Sequence, residues 1–255
     1  MKQLTHLSLF SGIGGLDLAA EWAGIETIGQ CEYADYPTKV LEKHWPDIPR
    51  WRDIRTLTKE SFYERTGLHS VDVISGGFPC QPFSSLGSRK GEADDRYLFD
   101  EMLRLAVELG SKYIVGENVS GIDDGNLDRI CAKMEAAGYE IAGIYETPAC
   151  LFGAPHERYR VFVVANSESV TGTKTHPGAL PSRKSGGAWE GIVRNAWREV
   201  SGAYWAIHKP PVPGMDDGLP YGMDIHRQRN MTLGNAVVPQ QVYPIFKAIA
   251  QMEEV

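Results

Sequence analysis

The residues best placed to do covalent chemistry lie in one short run. Pro79-Cys80-Gln81-Pro82 sets a cysteine between two prolines, directly after Gly76-Gly77-Phe78 and an apolar stretch at 71–75. A strand that ends in glycines puts that cysteine on a loop at the strand's C-terminal end, where open α/β sheets bind their ligands. Proline fixes φ and stiffens the loop, so the thiol of Cys80 is presented to a ligand. Once ionised it is a nucleophile. Cys31, Cys131 and Cys150 lack this setting and read as small buried apolar residues.

A second constellation is suited to a nucleoside. Phe10-Ser11-Gly12-Ile13-Gly14-Gly15 closes an apolar run at 5–10 and opens a helical pattern. Glycines there let the backbone turn tightly and approach a ligand, and a helix N-terminus adds a favourable field. Glu32 stands twenty residues after Gly12, where nucleotide-binding α/β folds place the acid that grips ribose hydroxyls. Asp53, before Ile54, is in reach of an adenine's exocyclic amine. The run is neither a P-loop nor a full Gly-x-Gly-x-x-Gly, so adenosine without pyrophosphate fits better than a phosphate-bearing nucleotide.

Elements to position these groups follow from periodicity. Apolar, β-rich runs at 5–10, 25–32, 71–75, 113–117, 139–147 and 161–165 predict strands. Helical patterns at 16–23, 35–44, 97–109 and 127–137 fall between them. Such alternation implies an α/β fold: a mostly parallel sheet with helices on both faces. Val161-Phe162-Val163-Val164 has the unbroken apolar texture of a parallel strand covered on both sides. The expected domains are 1–166 for catalysis and cofactor, 167–224 as a small second domain or insertion, and 225–255 returning to the first. The middle segment is rich in Gly, Ser, Thr and Pro, yet Trp189, Trp197, Tyr204 and Trp205 give it something to bury. From 240 to 252 the pattern is helical again, with Val242, Ile245, Phe246 and Ile249 on one face.

The 255 residues are 42% hydrophobic and 23% charged, ordinary for a globular chain. No apolar run is long enough for a membrane span, and the first ten residues do not read as a secretory signal. Scattered cysteines suggest neither zinc nor a disulfide framework, and point to a reducing cytoplasm. The net charge of −7 speaks against a polyanionic partner. Between 167 and 214, however, six basic residues face three acidic ones, a local excess that suits phosphate contacts.

In these motifs the sequence resembles the cytosine-C5 DNA methyltransferases. Phe78-Pro79-Cys80-Gln81-Pro82-Phe83-Ser84 matches that family's nucleophile loop in full. Other family elements follow in order: the cofactor loop from Phe10 to Gly15, Asp95-Arg96-Tyr97-Leu98-Phe99, Gly116-Glu117-Asn118-Val119, Arg158-Tyr159-Arg160, and Gly234-Asn235-Ala236-Val237-Val238-Pro239. The resemblance spans about 5–165 and 234–250, and the arrangement between 214 and 229 resembles that of compact phage- and prophage-type members. It implies a Rossmann-like methyltransferase fold and S-adenosyl-L-methionine as cofactor. It implies a covalent adduct between Cys80 and carbon 6 of a cytosine flipped out of double-stranded DNA. Glu117 would bind ring nitrogen 3 and the exocyclic amine, for which it needs a raised pKa. Arg160 would contact the base's carbonyl oxygen and Arg158 would order the site. Asn118 would brace the Cys80 loop.

The same resemblance implies a cofactor pocket formed by Phe10, Gly12, Ile13, Gly15, Glu32, Tyr33, Asp53, Ile54, Gly77, Pro79, Leu98, Asn235 and Val237. Ser84, Ser85, Arg89 and Lys90, in a basic loop, would close over the flipped base, and Arg227 and Arg229 would touch phosphates. No metal is implied. A monomer is expected, with a cognate restriction endonuclease as a candidate partner. His156 replaces the family's usual Gln, and the element that braces the recognition region is replaced by Gly214-Met215-Asp216-Asp217-Gly218-Leu219-Pro220. Two alternatives stay open: an RNA cytosine-C5 methyltransferase, and a DNA-binding module without turnover, against which the intact Cys80, Glu117 and Arg160 set argues. A nucleotide-binding oxidoreductase would leave the Pro-Cys-Gln loop unexplained.

Overall fold

The computed structural model describes residues 3–78, 98–122, 124–154, 157–167 and 235–253. Seven of its segments form a single sheet: β1 (Thr5–Leu9), β2 (Glu26–Cys31), β3 (Arg50–Trp51), β4 (Val73–Gly77), β5 (Tyr113–Val119), β6 (Tyr139–Pro148) and β7 (Tyr159–Ser167). Their order is β3-β2-β1-β4-β5-β7-β6. The first five strands pair in parallel, and β7 lies antiparallel between β5 and β6. The chain winds outward from β1 in one direction and from β4 in the other. The C-terminal ends of β1 and β4 therefore flank the point of reversal, where doubly wound sheets leave a crevice.

The helices of the described residues are α1 (Gly15–Trp22), α2 (Asp35–His44), α3 (Lys59–Thr66), α4 (Leu98–Glu108), α5 (Asp124–Ala136) and α6 (Pro239–Met252). Successive strand residues point to opposite faces, and two apolar clusters divide accordingly. Leu7, Leu9 and Ile74 bury against Trp51, Phe62, Met102, Leu105, Ile130 and Met134. Val73, Val115, Phe162 and Val164 bury on the other side, beneath Leu16 and Ala20 of α1 and Val242, Ile245, Phe246 and Ile249 of α6. Those four residues of α6 are wholly buried. Each contributes roughly 1.5–3 kcal/mol before ordering costs, which binds the C-terminal helix to the face that carries α1. Among the described residues no helix is long and apolar enough to cross a membrane.

Three sequence expectations need correction. The unbroken apolar run at 161–164 belongs to an antiparallel strand. Its texture reports burial on both faces, not direction: Phe162 and Val164 enter one cluster, Val163 and Ala165 the other. The strand anticipated at 71–75 starts and ends two residues later, at Val73–Gly77, so Gly76 and Gly77 are strand residues. The third concerns Cys150, which is exposed, whereas Cys31 and Cys131 are buried as expected. It sits on the short turn Ala149–Phe152, where Ala149 and Phe152 take the inward positions.

Two elements escaped periodicity altogether, β3 and α3. Phe62 is the one buried residue of α3, so no apolar stripe marks it. A capping box starts it instead: Ser61 N donates to Thr58 Oγ1 at 3.2 Å, and Thr58 N donates to Ser61 Oγ at 2.9 Å.

A buried polar chain fixes α1 beneath the glycine loop. Ser8 Oγ and Gln30 Nε2 donate to the Asp17 carboxylate at 2.9 and 2.8 Å, and Arg50 Nε donates to Gln30 Oε1 at 2.8 Å. Burial pushes the Asp17 carboxyl up to about 6.

Candidate active site

Five chain segments meet at the crevice because β1, β2, β4 and β5 end there and the antiparallel β7 begins there. After β1 the backbone turns through Phe10 (φ 52°) and Gly12 (φ 55°). A left-handed phenylalanine costs about 1–3 kcal/mol and persists only where its surroundings hold it. Here Ser11 N donates to Cys31 O at 3.1 Å, pinning the loop to the end of β2. Glu32 comes next. Its Oε2 accepts from Gly12 N at 2.8 Å and its Oε1 from Ala34 N at 2.7 Å. A carboxylate has about four lone-pair sites, so Glu32 keeps acceptors for a ligand. Tyr33 beside it is 76% exposed.

Other expected pocket residues vary in their placement. Val237 O lies so close to Gly15 that a Cβ would collide with it, which seats the segment before α6 on the glycine loop. Asn235, at the start of the same segment, is exposed, and Ile13 is half-buried. Phe10 and Leu98 pack at the rim of one core cluster. Ile54 is buried in that cluster. The Asp53 carboxylate is turned into its own short helix, accepting from Arg55 N at 3.0 Å and pairing with Arg55 Nη2 at 2.7 Å.

The other half of the crevice is built on β5 and β7. Glu117 pairs in register with Phe162, and Val119 with Arg160, so Arg160 stands diagonally across from Glu117. Arg160 Nε lies 2.8 Å from Glu117 Oε1. The contact is off the N–H axis, leaving an ion pair without a directed hydrogen bond to that oxygen among the described residues. Glu117 is only 7% exposed. Its burial pushes the carboxyl up to about 7, against the pull of Arg160 and Arg158. A group poised there exchanges protons readily near neutrality.

Asn118 Nδ2 donates to Phe78 O at 3.1 Å, and Phe78 packs against Phe99 with ring centroids 5.0 Å apart. These contacts anchor the last described residue before Pro79 and Cys80. Gly77 faces Glu117 directly: a Cβ at residue 77 would stand 2.7 Å from Glu117 Oε2. Gly77→Ala is expected to displace the carboxyl with little harm to folding, since a side-chain end can yield. Turnover at this site should drop about 10–100-fold, with melting temperature nearly unchanged. Steady-state kinetics beside a melting curve check both halves of that expectation.

Arg158 also adopts a left-handed backbone, φ 38°. Its Nη2 donates to Ala236 O, so it joins β7 to the segment that seats on Gly15. Sequence reasoning missed Gln241 in α6. This residue is fully buried, and its Nε2 donates to Thr147 O at 2.6 Å and Arg158 O at 2.9 Å. The available signal was a glutamine beside Val242 at the buried start of an amphipathic helix. Pro79, Cys80, Ser84, Ser85, Arg89, Lys90, Arg227, Arg229 and the 168–224 segment lie outside the described residues.

The family model for C-5 cytosine-specific DNA methylase matches residues 4–199. Type II methyltransferase M.BsuFI of Bacillus subtilis is 32% identical over 169 residues, 64% of this chain and 39% of that protein. Type II methyltransferase M.AquIA of Picosynechococcus sp. is 34% identical over 194 residues, 70% of this chain and 78% of that protein. The chain thus spans well under two thirds of several relatives' length, as with M.BsuFI, but most of M.AquIA. The S. pombe Dnmt2 methyltransferase structure aligns over 99% of both chains with a TM-score of 0.59 and 18% identity, a likeness of fold.

Proposed function

This chain belongs to the family of C-5 cytosine-specific DNA methylases, and on that premise we propose that it methylates carbon 5 of cytosine in DNA through a covalent bond to Cys80. The observation that carries the reading is Glu117, a buried carboxyl poised near neutrality and paired with Arg160 at the edge of the crevice. Two residues beyond Phe78, the chain reaches Cys80.

S-adenosyl-L-methionine would supply the methyl group as a sulfonium. The residues present fit its nucleoside. Glu32 is oriented by two backbone N–H groups and keeps lone pairs for ribose hydroxyls, and Tyr33 offers an open aromatic face. Gly15 and Val237 close the loop from the α6 side. Asp53 would have to share its carboxylate with Arg55 to reach the adenine amine.

The target base must leave the duplex to reach this crevice. Cys80 Sγ, as thiolate, adds to carbon 6, while Glu117 donates its proton to ring nitrogen 3 and electron density shifts onto carbon 5. Arg160 holds the base's carbonyl oxygen. Carbon 5 takes the methyl group; the methyl–sulfur bond breaks and its electron pair stays on the donor's sulfur. A base or water takes the carbon 5 proton, the ring double bond re-forms as the Cys80 thiolate leaves, and ring nitrogen 3 returns its proton to Glu117. Arg158, bonded to Ala236 O, orders the arginine strand without touching the base.

Residues 167–224 would read the target sequence, with Ser84, Ser85, Arg89 and Lys90 closing over the base and Arg227 and Arg229 on phosphates. A cognate restriction endonuclease is the partner this reading implies. Expression in a host free of cytosine methylation, followed by bisulfite sequencing, tests the activity. A recurrent protected motif is expected. Complete conversion despite folded protein would defeat the DNA reading, and methylation found only in RNA would move the activity to that substrate.

A further inference from the structure

We propose that Gln241 is a positioning residue that sets Arg160 against Glu117 by clipping the mouth of the β6–β7 pair to α6. The proposal rests on the methyltransferase reading above and adds to it a residue outside the motifs. In the last rungs of this ladder Thr147 faces Arg160 and Pro148 faces Tyr159. Just beyond them one further backbone hydrogen bond, from Ala149 N to Glu157 O, closes the end of the ladder. The Gln241 amide reaches both strands at this end of the ladder, with one donor group serving the carbonyl of Thr147 and that of Arg158. In return, Arg158 donates to Ala236 O just ahead of α6. Side chain to backbone in one direction, and side chain to backbone in the other, make a reciprocal lock.

That lock is placed where it matters for chemistry. Arg158 holds a left-handed φ of 38°, a conformation that needs outside support. Two residues later comes Arg160, whose Nε is 2.8 Å from Glu117 Oε1. The α6 side of the lock cannot drift, because Val242, Ile245 and Phe246 are wholly buried against the sheet and Val237 is seated on Gly15. The donor end of this buried amide is satisfied by two backbone carbonyls, whereas its Oε1 has no hydrogen-bond partner among the described residues. Its removal takes one hydrogen bond from each of the two carbonyls.

Gln241→Met keeps length and volume but removes both donors. In the full-length chain, kcat is expected to fall about 10–100-fold while donor affinity by calorimetry stays within a few fold. With Arg160 less firmly held, the Glu117 carboxyl loses part of the pull that lowers its pKa, so the alkaline limb of kcat moves to higher pH. A structural role alone would leave that limb in place. Gln241→Glu is the second variant. Buried beside two carbonyl oxygens, its carboxyl is held protonated and regains one donor as pH falls, so its deficit should shrink from about pH 8 to about pH 6.

Wild-type kcat and an unmoved limb in both variants would overturn the proposal, as would failure of both to fold, which would make Gln241 a stability residue. If the wild type itself transfers no methyl group, the functional reading fails separately. Amide exchange then decides for Gln241: the first residues of β7 are expected to lose about tenfold protection in Gln241→Met, with β1 and β4 unchanged. Equal protection in β7 would sink the idea.

Discussion

Cys80→Ser is expected to lower methyl transfer about 10⁴-fold or more, with methyl-donor affinity within a few fold of wild type. A serine hydroxyl is scarcely ionised at neutral pH, so the attack on carbon 6 loses its nucleophile. Glu32, Tyr33 and Gly15, proposed above to hold the donor, sit on other elements. Single-turnover methylation and calorimetry on one preparation separate the two roles. Loss of donor binding with loss of transfer would mean that Cys80 supports the pocket and is not the nucleophile.

Glu117→Gln is expected to reduce kcat by about 10²–10⁴-fold, because an amide cannot deliver a proton to ring nitrogen 3. The pH profile carries the sharper test. The Glu117 carboxyl is pushed up to about 7, so the protonated fraction needed for catalysis declines above neutrality. Wild-type kcat should bend downward there, and the bend should vanish in the variant.

Stability should also fall with rising pH, over a lower window. The folded-state pKa lies above the ordinary 4.5, so the folded chain binds more protons and wild-type stability falls as pH rises from about 4.5 to about 7. At about 1.4 kcal/mol per unit the penalty reaches about 3–4 kcal/mol above neutrality. Glu117→Gln removes that slope, so the difference in unfolding free energy between wild type and variant should grow over the same window and then stay level. Chemical denaturation at several pH values measures it. A wild-type slope identical to the variant's would show that Glu117 is not the perturbed group.

Much of this site was legible before any coordinates because its residues are defined by backbone demands as well as chemistry. A tight turn needs Gly12, and Glu32 follows at the distance of one βαβ step; the carboxylate does accept from Gly12 N. Pairing of Glu117 with Arg160 could not be read in the same way. It depends on β7 running antiparallel beside β5, and an apolar run encodes burial without direction. Gln241 was invisible for a related reason: its partners are backbone carbonyls of Thr147 and Arg158, which carry no sequence signature. The Asp53 side chain shows the reverse limit. Its position fits a ligand, but Arg55 two residues on supplies a local partner. Short-range capping also decided α3, where Thr58 and Ser61 start a helix that hydrophobic periodicity does not announce.

The central claim is a bond between Cys80 and a pyrimidine ring, and trapping that bond tests it most directly. Duplex DNA carrying 5-fluorocytosine in the chain's own target motif, incubated with S-adenosyl-L-methionine, should yield a denaturation-resistant complex, because fluorine at carbon 5 cannot leave as a proton does. Peptide mapping should place the cross-link on Cys80. Methylation of ordinary cytosine in that motif without any trapped complex, or a cross-link mapped to another residue, would contradict the account.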